Sequence, residues 1–533
     1  MKKMKKVMAL LLSLVMVLAM SIATFATETT SGFTITAPDN GHTYEVYQIF
    51  KGTLELVNGQ NILKNLKWGK NGKNVTEDSK VDSKILAELE AVTGDDTAKL
   101  EVITKYVDLT ATNKFGEVTS AASLTNVPAG YYLIKDVDGV FANANDSYTK
   151  YIVEVVDNVA ISPKSDKPTV EKKVKENVKY NVDGGYGTQY NDTADYSIGD
   201  EVPFRLIGKV PNTAQYKTYK YTFHDTLSKS FNAPTEASVS VYVASDKAGS
   251  DKLPVTEGFK TTVTTAENGT TTITVSTEDL KKIKYKKGAE ETTVNEGQFI
   301  LVEYTAVLNA NAYIKDDGEP VEGGNKIGNI NEVYLTYSNN PNQGGEGEEG
   351  KTPEDKVIVF TYELNAEKID GKTKNKLAGV IFKLYKLEND AKVWANVTKG
   401  KLSGWTDTEA DATALTSDAK GKFSVAGLDD GTYYLKEVQG LPGYNSIPDI
   451  KVTISAETNN GHGGNGAVTE LGVITLKVDD SAIKGDTVTI ENNKGSNLPS
   501  TGGMGTTIFY VVGSILVLGA AILLITKKRM SAR

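Results

Sequence analysis

The sequence predicts a mainly β fold of tandem immunoglobulin-like β-sandwich domains, and two observations support this prediction. First, β-branched and aromatic residues alternate with polar residues in short runs, separated by Gly, Asn and Asp, as in residues 259–265, 270–275 and 451–455. Second, helical periodicity is sparse, and its clearest instances are Ser83–Val92 and Thr97–Val107. We therefore expect β-sandwiches along the chain, with some helix in the amino-terminal domain.

Both ends of the chain carry features of an exported protein. At the amino terminus, four lysines within residues 1–6 precede an apolar run, Val7–Met20, and mostly small residues through Ala26. This is the layout of a secretory signal peptide, cleaved here after Ala26. At the other end, the uncharged run Ile508–Ile525 is long enough to cross a membrane as a helix, and the basic residues 527–529 follow it.

A short motif stands just before this apolar run. It consists of Leu498, Pro499, Ser500, Thr501 and Gly502. The order of motif, span and basic tail resembles the sorting signal that sortases of Gram-positive bacteria read, whereas an ordinary membrane anchor needs no such motif. The resemblance implies that a sortase cuts between Thr501 and Gly502 and holds Thr501 as a thioester. We therefore expect a secreted protein that is covalently anchored at the cell surface.

Two polar stretches divide the mature chain into three predicted domains. Prolines bracket one of them, Pro163–Pro168, and Gly, Glu, Asn and Pro crowd together in the other, Asn340–Asp355. The chain is long enough for about three domains of ordinary size. The predicted segments are the signal peptide, the amino-terminal, middle and carboxyl-terminal domains, and the sorting signal, at residues 1–26, 27–165, 166–350, 356–496 and 498–533.

Composition argues against several classes of function. Removing both terminal segments takes away eight basic and no acidic residues, so the formal charge falls from −9 for the whole chain to −17 for residues 27–501. Such a surface repels nucleic acid and anionic lipid. Cysteine is absent, which excludes disulfides, and the three histidines, His42, His224 and His462, have no metal-ligand spacing. We expect no metal, no cofactor and no nucleic-acid partner.

Glycine turns and aromatic strand residues recur together in the third domain. They occur in Leu377–Tyr385, Gly421–Phe423, Gly427–Leu428, Gly431–Glu437 and Pro442–Tyr444. This set resembles a Cna-B-type domain of sortase-assembled pilins and adhesins, although Gly440 and Leu441 stand where that family usually has Ala-Pro. In that family a Lys on the first strand, a Glu in a Tyr-x-Leu-x-Glu box and an Asn on the last strand form an isopeptide bond. The resemblance assigns these parts to Lys368, Glu437 and Asn492.

Strand alternation agrees with this assignment. Every second residue of a strand faces the same side. Counting in twos from the apolar Tyr362 leads to Lys368, and counting in twos from the apolar Val488 leads to Asn492, so both polar side chains are expected to face inward. Burial disfavours a charged lysine and raises the pKa of a carboxyl, so a neutral amine and a protonated Glu437 can coexist. The amine is then expected to attack the carboxamide while Glu437 donates a hydrogen bond to the amide oxygen and shuttles protons. The alternative is that all three are ordinary polar surface residues.

The second domain contains further motifs of the same type. They are Pro168–Val174, Ser197–Asp200, Tyr221–Leu227 and Gly328–Asn339. This set is similar to the middle domain of backbone pilins, which also cross-links itself. Alternation places Lys172 on the inward face and leaves Lys173 in solvent, so Lys172 is the predicted nucleophile and Asp225 the assisting acid. Asn331 is the preferred electrophile, but Asn339 lies on the same face and alternation cannot exclude it.

The segment before the second domain supplies a candidate for polymerisation. Residues 159–165, Val-Ala-Ile-Ser-Pro-Lys-Ser, resemble the pilin motif, although Ser162 and Ser165 replace its usual Tyr and Asn. In pilins the lysine of this motif attacks the thioester of the next subunit, which assigns that part to Lys164. Gly41–Phe50 also looks like the amino-terminal domain of fimbrial shaft subunits. Asp136 occupies a box position there, but without Lys and Asn partners we predict no bond.

The sequence therefore predicts a structural protein, the shaft subunit of a covalent pilus, joined from Lys164 to Thr501, with no enzymatic activity beyond forming its own isopeptide bonds. Its expected partners are a pilin-specific sortase, other copies of itself and peptidoglycan through a housekeeping sortase, with minor pilins and host or bacterial receptors as further candidates. A monomeric wall-anchored adhesin or minor pilin is the first alternative. A wall-anchored glycosidase with paired carboxylates is the second, although no acid pair stands out.

Overall fold

The computed structural model describes residues 32–57, 59–92, 96–137, 146–163, 166–177, 186–315, 328–343, 349–458, 471–495 and 504–530. The signal peptide, His462, Lys164 and the motif from Leu498 to Gly502 lie outside these described residues. Strands predominate, which confirms the predicted mainly β fold. The chain forms two compact units, and the second consists of residues 363–426, 431–455 and 474–533. The first unit contains the remaining residues.

The strands of the predicted amino-terminal domain belong to two sheets. They are β1 (Phe33–Thr36), β2 (Tyr44–Val57), β3 (Gln60–Trp68), β4 (Gly116–Val118), β5 (Leu124–Val127), β6 (Gly130–Asp136), β7 (Lys150–Val155) and β8 (Val159–Ala160). One sheet has the order β5-β1-β8, and the other has the order β3-β2-β6-β7 with β4 also paired to β2. Apolar side chains from both sheets pack together and are buried, among them Ile35 on β1, Val127 on β5, Tyr44 on β2 and Ile134 on β6.

Two helices connect the strands of this domain, as predicted. They are α1 (Ser83–Glu90) and α2 (Asp96–Thr104), and each ends two or three residues before the predicted boundary. Asp82 caps α1, since its side chain accepts a hydrogen bond from the backbone nitrogen of Lys84 at 2.8 Å. Short 3-10 helices occur along the chain at residues 111–113, 236–238, 280–282, 341–343 and 409–411.

The next strands along the chain also form two sheets, and the last of them, at residues 355–360, lies beyond the predicted middle domain, 166–350, but pairs within one of these sheets. They are β9 (Val170–Lys175), β10 (Tyr190–Asn191), β11 (Thr193–Asp195), β12 (Glu201–Lys209), β13 (Tyr221–Leu227), β14 (Phe231–Asn232), β15 (Ser240–Ala244), β16 (Leu253–Glu257), β17 (Lys260–Thr265), β18 (Thr271–Thr277), β19 (Lys284–Lys287), β20 (Glu290–Thr293), β21 (Phe299–Leu308), β22 (Asn329–Ser338), β23 (Glu349–Lys351) and β24 (Asp355–Phe360).

The order of these strands fixes which side chains face each other. One sheet runs β10-β9-β12-β21-β15-β16-β19-β20, with β14 paired to β21. The other runs β11-β24-β22-β13-β18-β17, with β23 paired to β22. Apolar side chains from both sheets, including Val174, Phe204, Phe223 and Leu335, form one buried cluster between them. Inward positions of β9 and β21 therefore meet inward positions of β13 and β22.

The predicted carboxyl-terminal domain contains one large connected sheet. Its strands are β25 (Tyr362–Asp370), β26 (Ile381–Glu388), β27 (Ala391–Thr398), β28 (Lys401–Thr406), β29 (Leu415–Thr416), β30 (Lys422–Leu428), β31 (Gly431–Gln439), β32 (Ile450–Thr458), β33 (Leu471–Val478), β34 (Ser481–Ala482) and β35 (Thr487–Asn492). Their order is β34-β33-β32-β31-β26-β27-β28-β30-β25-β35, with β29 paired to β26. The first strand β25 and the last strand β35 are parallel neighbours, with Lys368 opposite Ile490.

The chain ends in a long apolar helix, α3 (Met504–Met530). Within it, the 19 residues Tyr510–Lys528 have a mean hydropathy of 2.1 and are long and apolar enough to cross a membrane. This segment overlaps the predicted span, Ile508–Ile525.

Candidate cross-linking sites

In the carboxyl-terminal domain the structure brings the three predicted side chains together. Lys368 lies near the end of β25, Glu437 lies on β31 and Asn492 is the last residue of β35. Their side chains are almost fully buried, because alternation directs Lys368 and Asn492 into the core beside apolar neighbours. Three polar side chains are thereby held at a single apolar location.

The distances within this group allow an attack on the amide. The Nζ atom of Lys368 lies 2.5 Å from Oδ1 of Asn492. The Nδ2 atom of Asn492 donates to both carboxylate oxygens of Glu437, at 3.1 and 3.0 Å, and Oε2 of Glu437 is 3.6 Å from the lysine Nζ. The expected hydrogen bond from Glu437 to the amide oxygen is therefore wrong, since the carboxyl faces the amide nitrogen. That position suits protonation of the amide nitrogen, which then leaves as ammonia.

Electrostatics favours a reactive amine at this location. Burial lowers the pKa of Lys368 to about 8, although the nearby Glu437 carboxylate opposes the shift. A larger fraction of the amine is thus neutral near physiological pH than for a lysine in water. The glycine that departs from the family pattern also fits here, because a Cβ atom at Gly440 would lie 2.7 Å from Oε1 of Glu437.

The middle domain contains a second buried group. Nζ of Lys172 on β9 contacts Oδ1 of Asp225 on β13, and both side chains are inaccessible to solvent. Burial lowers the pKa of Lys172 and raises that of Asp225, while their mutual attraction opposes both shifts. Burial thus favours the neutral pair that a nucleophilic lysine needs.

Sequence reasoning missed one residue of this group, Tyr304 on β21. Its hydroxyl accepts hydrogen bonds from Nδ2 of Asn331 at 2.8 Å and from Nζ of Lys172 at 3.3 Å, and it donates to Oδ2 of Asp225. No motif flagged Tyr304. The signal available in the sequence was the alternation of residues in β21. It places Tyr304 among apolar residues on the inward face, where the structure buries it.

The structure separates the two candidate asparagines. Asn331 on β22 pairs in register with Leu227 of β13 and reaches Tyr304. Asn339, just beyond the end of β22, instead donates from Nδ2 to the backbone oxygen of Asp146 at 3.3 Å, and its own backbone oxygen accepts from Tyr148. Both are buried, but Asn331 is the one that joins the Lys172 group.

The expectation that Lys173 lies in solvent is wrong. Its side chain is only 1% exposed, and Nζ contacts Oδ1 of Asp192. The ring of Tyr186 covers the amine, with 4.3 Å from Nζ to the ring centroid. The outer face of β9 is therefore covered, so that both Lys172 and Lys173 are buried but on opposite faces of the strand.

In the amino-terminal domain, Asp136 is engaged with other partners. Its Oδ1 lies 2.9 Å from Nδ1 of His42, and its other oxygen accepts from the backbone nitrogen of Thr149. The neighbouring Lys135 pairs with Glu45 at 3.0 Å. The carboxyl at the box position thus belongs to a histidine-centred hydrogen-bond network.

The predicted polymerising residues, Lys164 and Thr501, lie outside the described residues, but the segments flanking Lys164 are described. On its amino-terminal side, the Ile161 nitrogen donates to the oxygen of Thr36 at 2.8 Å. On its carboxyl-terminal side, Asp166 accepts from the backbone nitrogen of Asn212 at 3.0 Å. The described chain on both sides of Lys164 is therefore hydrogen-bonded to folded parts of the protein, on one side to β1.

Two segments match known family models. Residues 490–531 match the LPXTG cell wall anchor motif, and residues 362–463 match SpaA, a prealbumin-like fold domain. The predicted wall-sorting signal is confirmed, and the chain is a cell-wall-anchored surface protein.

Comparison with whole proteins extends this result. The chain is 25% identical over 281 residues to the trypsin-resistant surface T6 protein of Streptococcus pyogenes serotype M6, and the match covers 43% of this chain and 48% of the relative. The chain thus matches about half the length of that relative. The match to the solved structure of the T6 backbone pilin covers 88% of this chain and 100% of that structure, at 16% identity and a TM-score of 0.46. The match to the solved group B streptococcus pilus 2b backbone protein covers 57% of this chain and 97% of that structure, at 26% identity and a TM-score of 0.39.

The sequence relation to the T6 protein confirms the predicted resemblance to backbone pilins of Gram-positive bacteria. The segment that matches SpaA contains Lys368 and Glu437, whereas Asn492 lies 29 residues beyond its end at residue 463. The family match therefore covers two of the three residues of the site in which the geometry for cross-linking is most direct.

Proposed function

We propose that this chain is the repeating shaft subunit of a covalent surface pilus. In this proposal, a sortase joins Thr501 of one copy to Lys164 of the next, and peptidoglycan receives the last Thr501. Isopeptide bonds between Lys172 and Asn331 and between Lys368 and Asn492 reinforce each subunit. The observation that carries the proposal is the buried contact between Lys368 and Asn492 in a wall-anchored SpaA domain.

The internal reaction is a transamidation that needs no cofactor. The neutral Nζ of Lys368 attacks Cγ of Asn492, a new C–N bond forms, and the original amide C–N bond breaks. Glu437 gives a proton to the leaving nitrogen and takes one from the attacking nitrogen, so that ammonia is the only other product. The fold holds the three groups together, so the reaction needs no encounter between separate molecules. This proximity is the main reason that the bond forms faster than between a free amine and a free amide in water.

The position of the cross-linked strands supports a mechanical role. Each proposed bond connects the first strand of its domain to a strand near the end of that domain, and Lys368 and Asn492 are 124 residues apart. Tension that enters at one end of such a domain would pass through the covalent bond and not through the sheet hydrogen bonds. A polymer of such subunits would resist unfolding under load and would resist proteases.

Polymerisation also joins a lysine amine to a carbonyl carbon, but here the two groups belong to different molecules. The amine of Lys164 attacks the carbonyl carbon of Thr501 held as a thioester, an amide forms, and the sortase thiol is released. The negative charge of the mature chain and its two proposed internal bonds suit an extracellular polymer without disulfides.

The test is a comparison of two lysines that lie three residues apart. A strain producing Lys164→Arg is expected to lose the ladder of high-mass species that survives boiling in detergent, whereas Lys167→Arg is expected to retain it. Lys167 is a matched control because its amine is paired with Asp146 at 2.6 Å. A ladder in the Lys164→Arg strain would refute the role of Lys164. A wild-type strain with only the wall-linked monomer would favour the adhesin.

A further inference from the structure

Tyr304 makes the middle-domain site different from the site in the carboxyl-terminal domain. Its hydroxyl lies within hydrogen-bond distance of Lys172, Asp225 and Asn331, the proposed nucleophile, acid and electrophile. The three proposed reactive side chains are fully buried, and Tyr304 is 3% exposed. The hydroxyl is therefore the point at which the three proposed reactive groups meet.

The two sites use acids of different length. In the carboxyl-terminal domain, Glu437 contacts the amide nitrogen of Asn492 directly, at 3.0 Å. In the middle domain the acid is an aspartate, which is shorter by one methylene group, and its link to Asn331 runs through the hydroxyl of Tyr304. Asp225 and the Tyr304 hydroxyl together thus span the distance that the longer glutamate covers alone.

We propose that Tyr304 is a catalytic residue for formation of the Lys172–Asn331 bond, relaying a proton from Asp225 to the leaving amide nitrogen. This inference rests on the cross-link in the proposed function. It assigns a role in the chemistry to a residue that strand alternation alone marks only as part of the core.

The proton transfers balance along this chain. Neutral Lys172 attacks Cγ of Asn331, which turns the amide nitrogen into a proton acceptor. The Tyr304 hydroxyl then rotates from Asp225 towards this nitrogen, and protonated Asp225 passes its proton from Oδ2 to the tyrosine oxygen. The tyrosine gives its own proton to the amide nitrogen, which leaves as ammonia when the C–N bond breaks. Oδ1 of Asp225, which contacts the lysine, takes the proton released by the attacking Nζ. Asp225 and Tyr304 end the reaction in their starting states.

The surroundings of Tyr304 suit a relay of this kind. Burial raises the pKa of its hydroxyl well above the usual value, so the group holds its proton at rest. Its ring packs against Phe204, with the ring centroids 5.5 Å apart, which limits movement of the hydroxyl. The ring also lies 5.7 Å from Nζ of Lys172. Replacing tyrosine with phenylalanine removes the hydroxyl and leaves this packing in place.

The experiment follows ammonia loss in the mature chain, residues 27–501, by intact mass after refolding. Proteolytic fragments then show which domain carries each bond. Tyr304→Phe is expected to slow the middle-domain bond by about 100-fold or more, in line with loss of a proton-transfer group. Tyr221→Phe is the matched control, because its buried hydroxyl donates to the Lys209 oxygen at 3.1 Å and does not touch the site. The bond between Lys368 and Asn492 reports, in the same molecule, that refolding succeeded.

A rescue experiment separates catalysis from packing. With Asp225→Glu, the longer acid is expected to reach Asn331 directly, so Tyr304→Phe combined with Asp225→Glu should cross-link much faster than Tyr304→Phe alone. Equal rates for Tyr304→Phe and the wild type would overturn the relay. So would failure of the longer acid to restore the bond in a double variant whose carboxyl-terminal bond forms normally. No ammonia loss from the middle domain of the wild type would instead overturn the cross-link itself.

Discussion

Nζ of Lys368 lies 2.5 Å from Oδ1 of Asn492, on the first and last strands of the carboxyl-terminal domain. These strands are parallel neighbours, so the residues approach each other only after the whole domain has folded. A covalent bond at this position would therefore form only after the domain has folded. It would also close a loop that contains nearly all of the domain.

The first prediction concerns the stability that this bond provides. Asn492→Ala is expected to lack one of the ammonia losses of the wild type, each mass being compared with the one calculated from its own sequence, and to lose roughly 5 kcal/mol of stability, by analogy with a disulfide that closes a loop of similar length. Intact mass and thermal unfolding of residues 27–501 measure both effects. The neighbouring and exposed Asn493 supplies the control, since Asn493→Ala should show the same mass deficit as the wild type. The same deficit in the wild type and in Asn492→Ala would contradict the prediction.

The second prediction uses the adjacent lysines of β9. Lys172→Arg is expected to abolish the middle-domain bond, because a guanidinium stays charged and is not a nucleophile at neutral pH. Lys173→Arg should leave the bond intact, since Lys173 pairs with Asp192 on the opposite face of the strand. Peptide mapping of each variant identifies the linked strands. Loss of the bond in Lys173→Arg alone would reverse the assignment.

A third prediction distinguishes the asparagines of the middle domain. Asn331→Ala should prevent ammonia loss from this domain, whereas Asn339→Ala should permit it, because only Asn331 reaches Tyr304 and the Lys172 group. Asn339→Ala is expected to remove the side-chain hydrogen bond to the Asp146 oxygen and to lower the thermal stability modestly. Fragment masses decide the question, and a bond that survives in Asn331→Ala would refute this choice.

The resemblance to Cna-B-type domains supplied the three residues of the carboxyl-terminal site, and strand alternation predicted that two of them face inward. The pattern that leads to Lys368 and the pattern that leads to Asn492 each have a period of two, and the structure places both side chains in the core. Which atom of the amide the acid contacts could not be predicted in this way, because periodicity gives the face of a strand but not the orientation of a side chain. Glu437 in fact contacts the nitrogen.

The errors in the middle domain have a similar physical cause. Alternation placed Lys172 and Lys173 on opposite faces correctly, but it does not reveal whether the second face is covered. Tyr186 and Asp192 cover this face, and they lie in a segment whose sequence shows no regular alternation of polar and apolar residues. Tyr304 was missed because a buried tyrosine in a regular strand looks like any core residue. Its importance depends on contacts between strands that are distant in sequence.

The last prediction concerns pH. In Asn492→Ala no bond forms, and Lys368 remains as a buried amine beside Glu437. The pKa of the unlinked Lys368 amine in the folded chain is lowered to about 8, below that of an unfolded lysine. Between these values the unfolded chain binds more protons than the folded chain, so the free energy of unfolding rises as the pH increases from about 8 towards 10.5. Below pH 8 both states are protonated and the penalty is fully present.

We expect this rise to be on the order of 3 kcal/mol in the Asn492→Ala variant, measured by chemical denaturation at several pH values. Other groups titrate in the same range, so the control is Lys368→Met combined with Asn492→Ala. Methionine fills a similar volume without an amine, and the double variant should lack this part of the pH dependence. The same slope in both variants would show that Lys368 does not have a lowered pKa, and the electrostatic argument for a neutral nucleophile in this domain would fail.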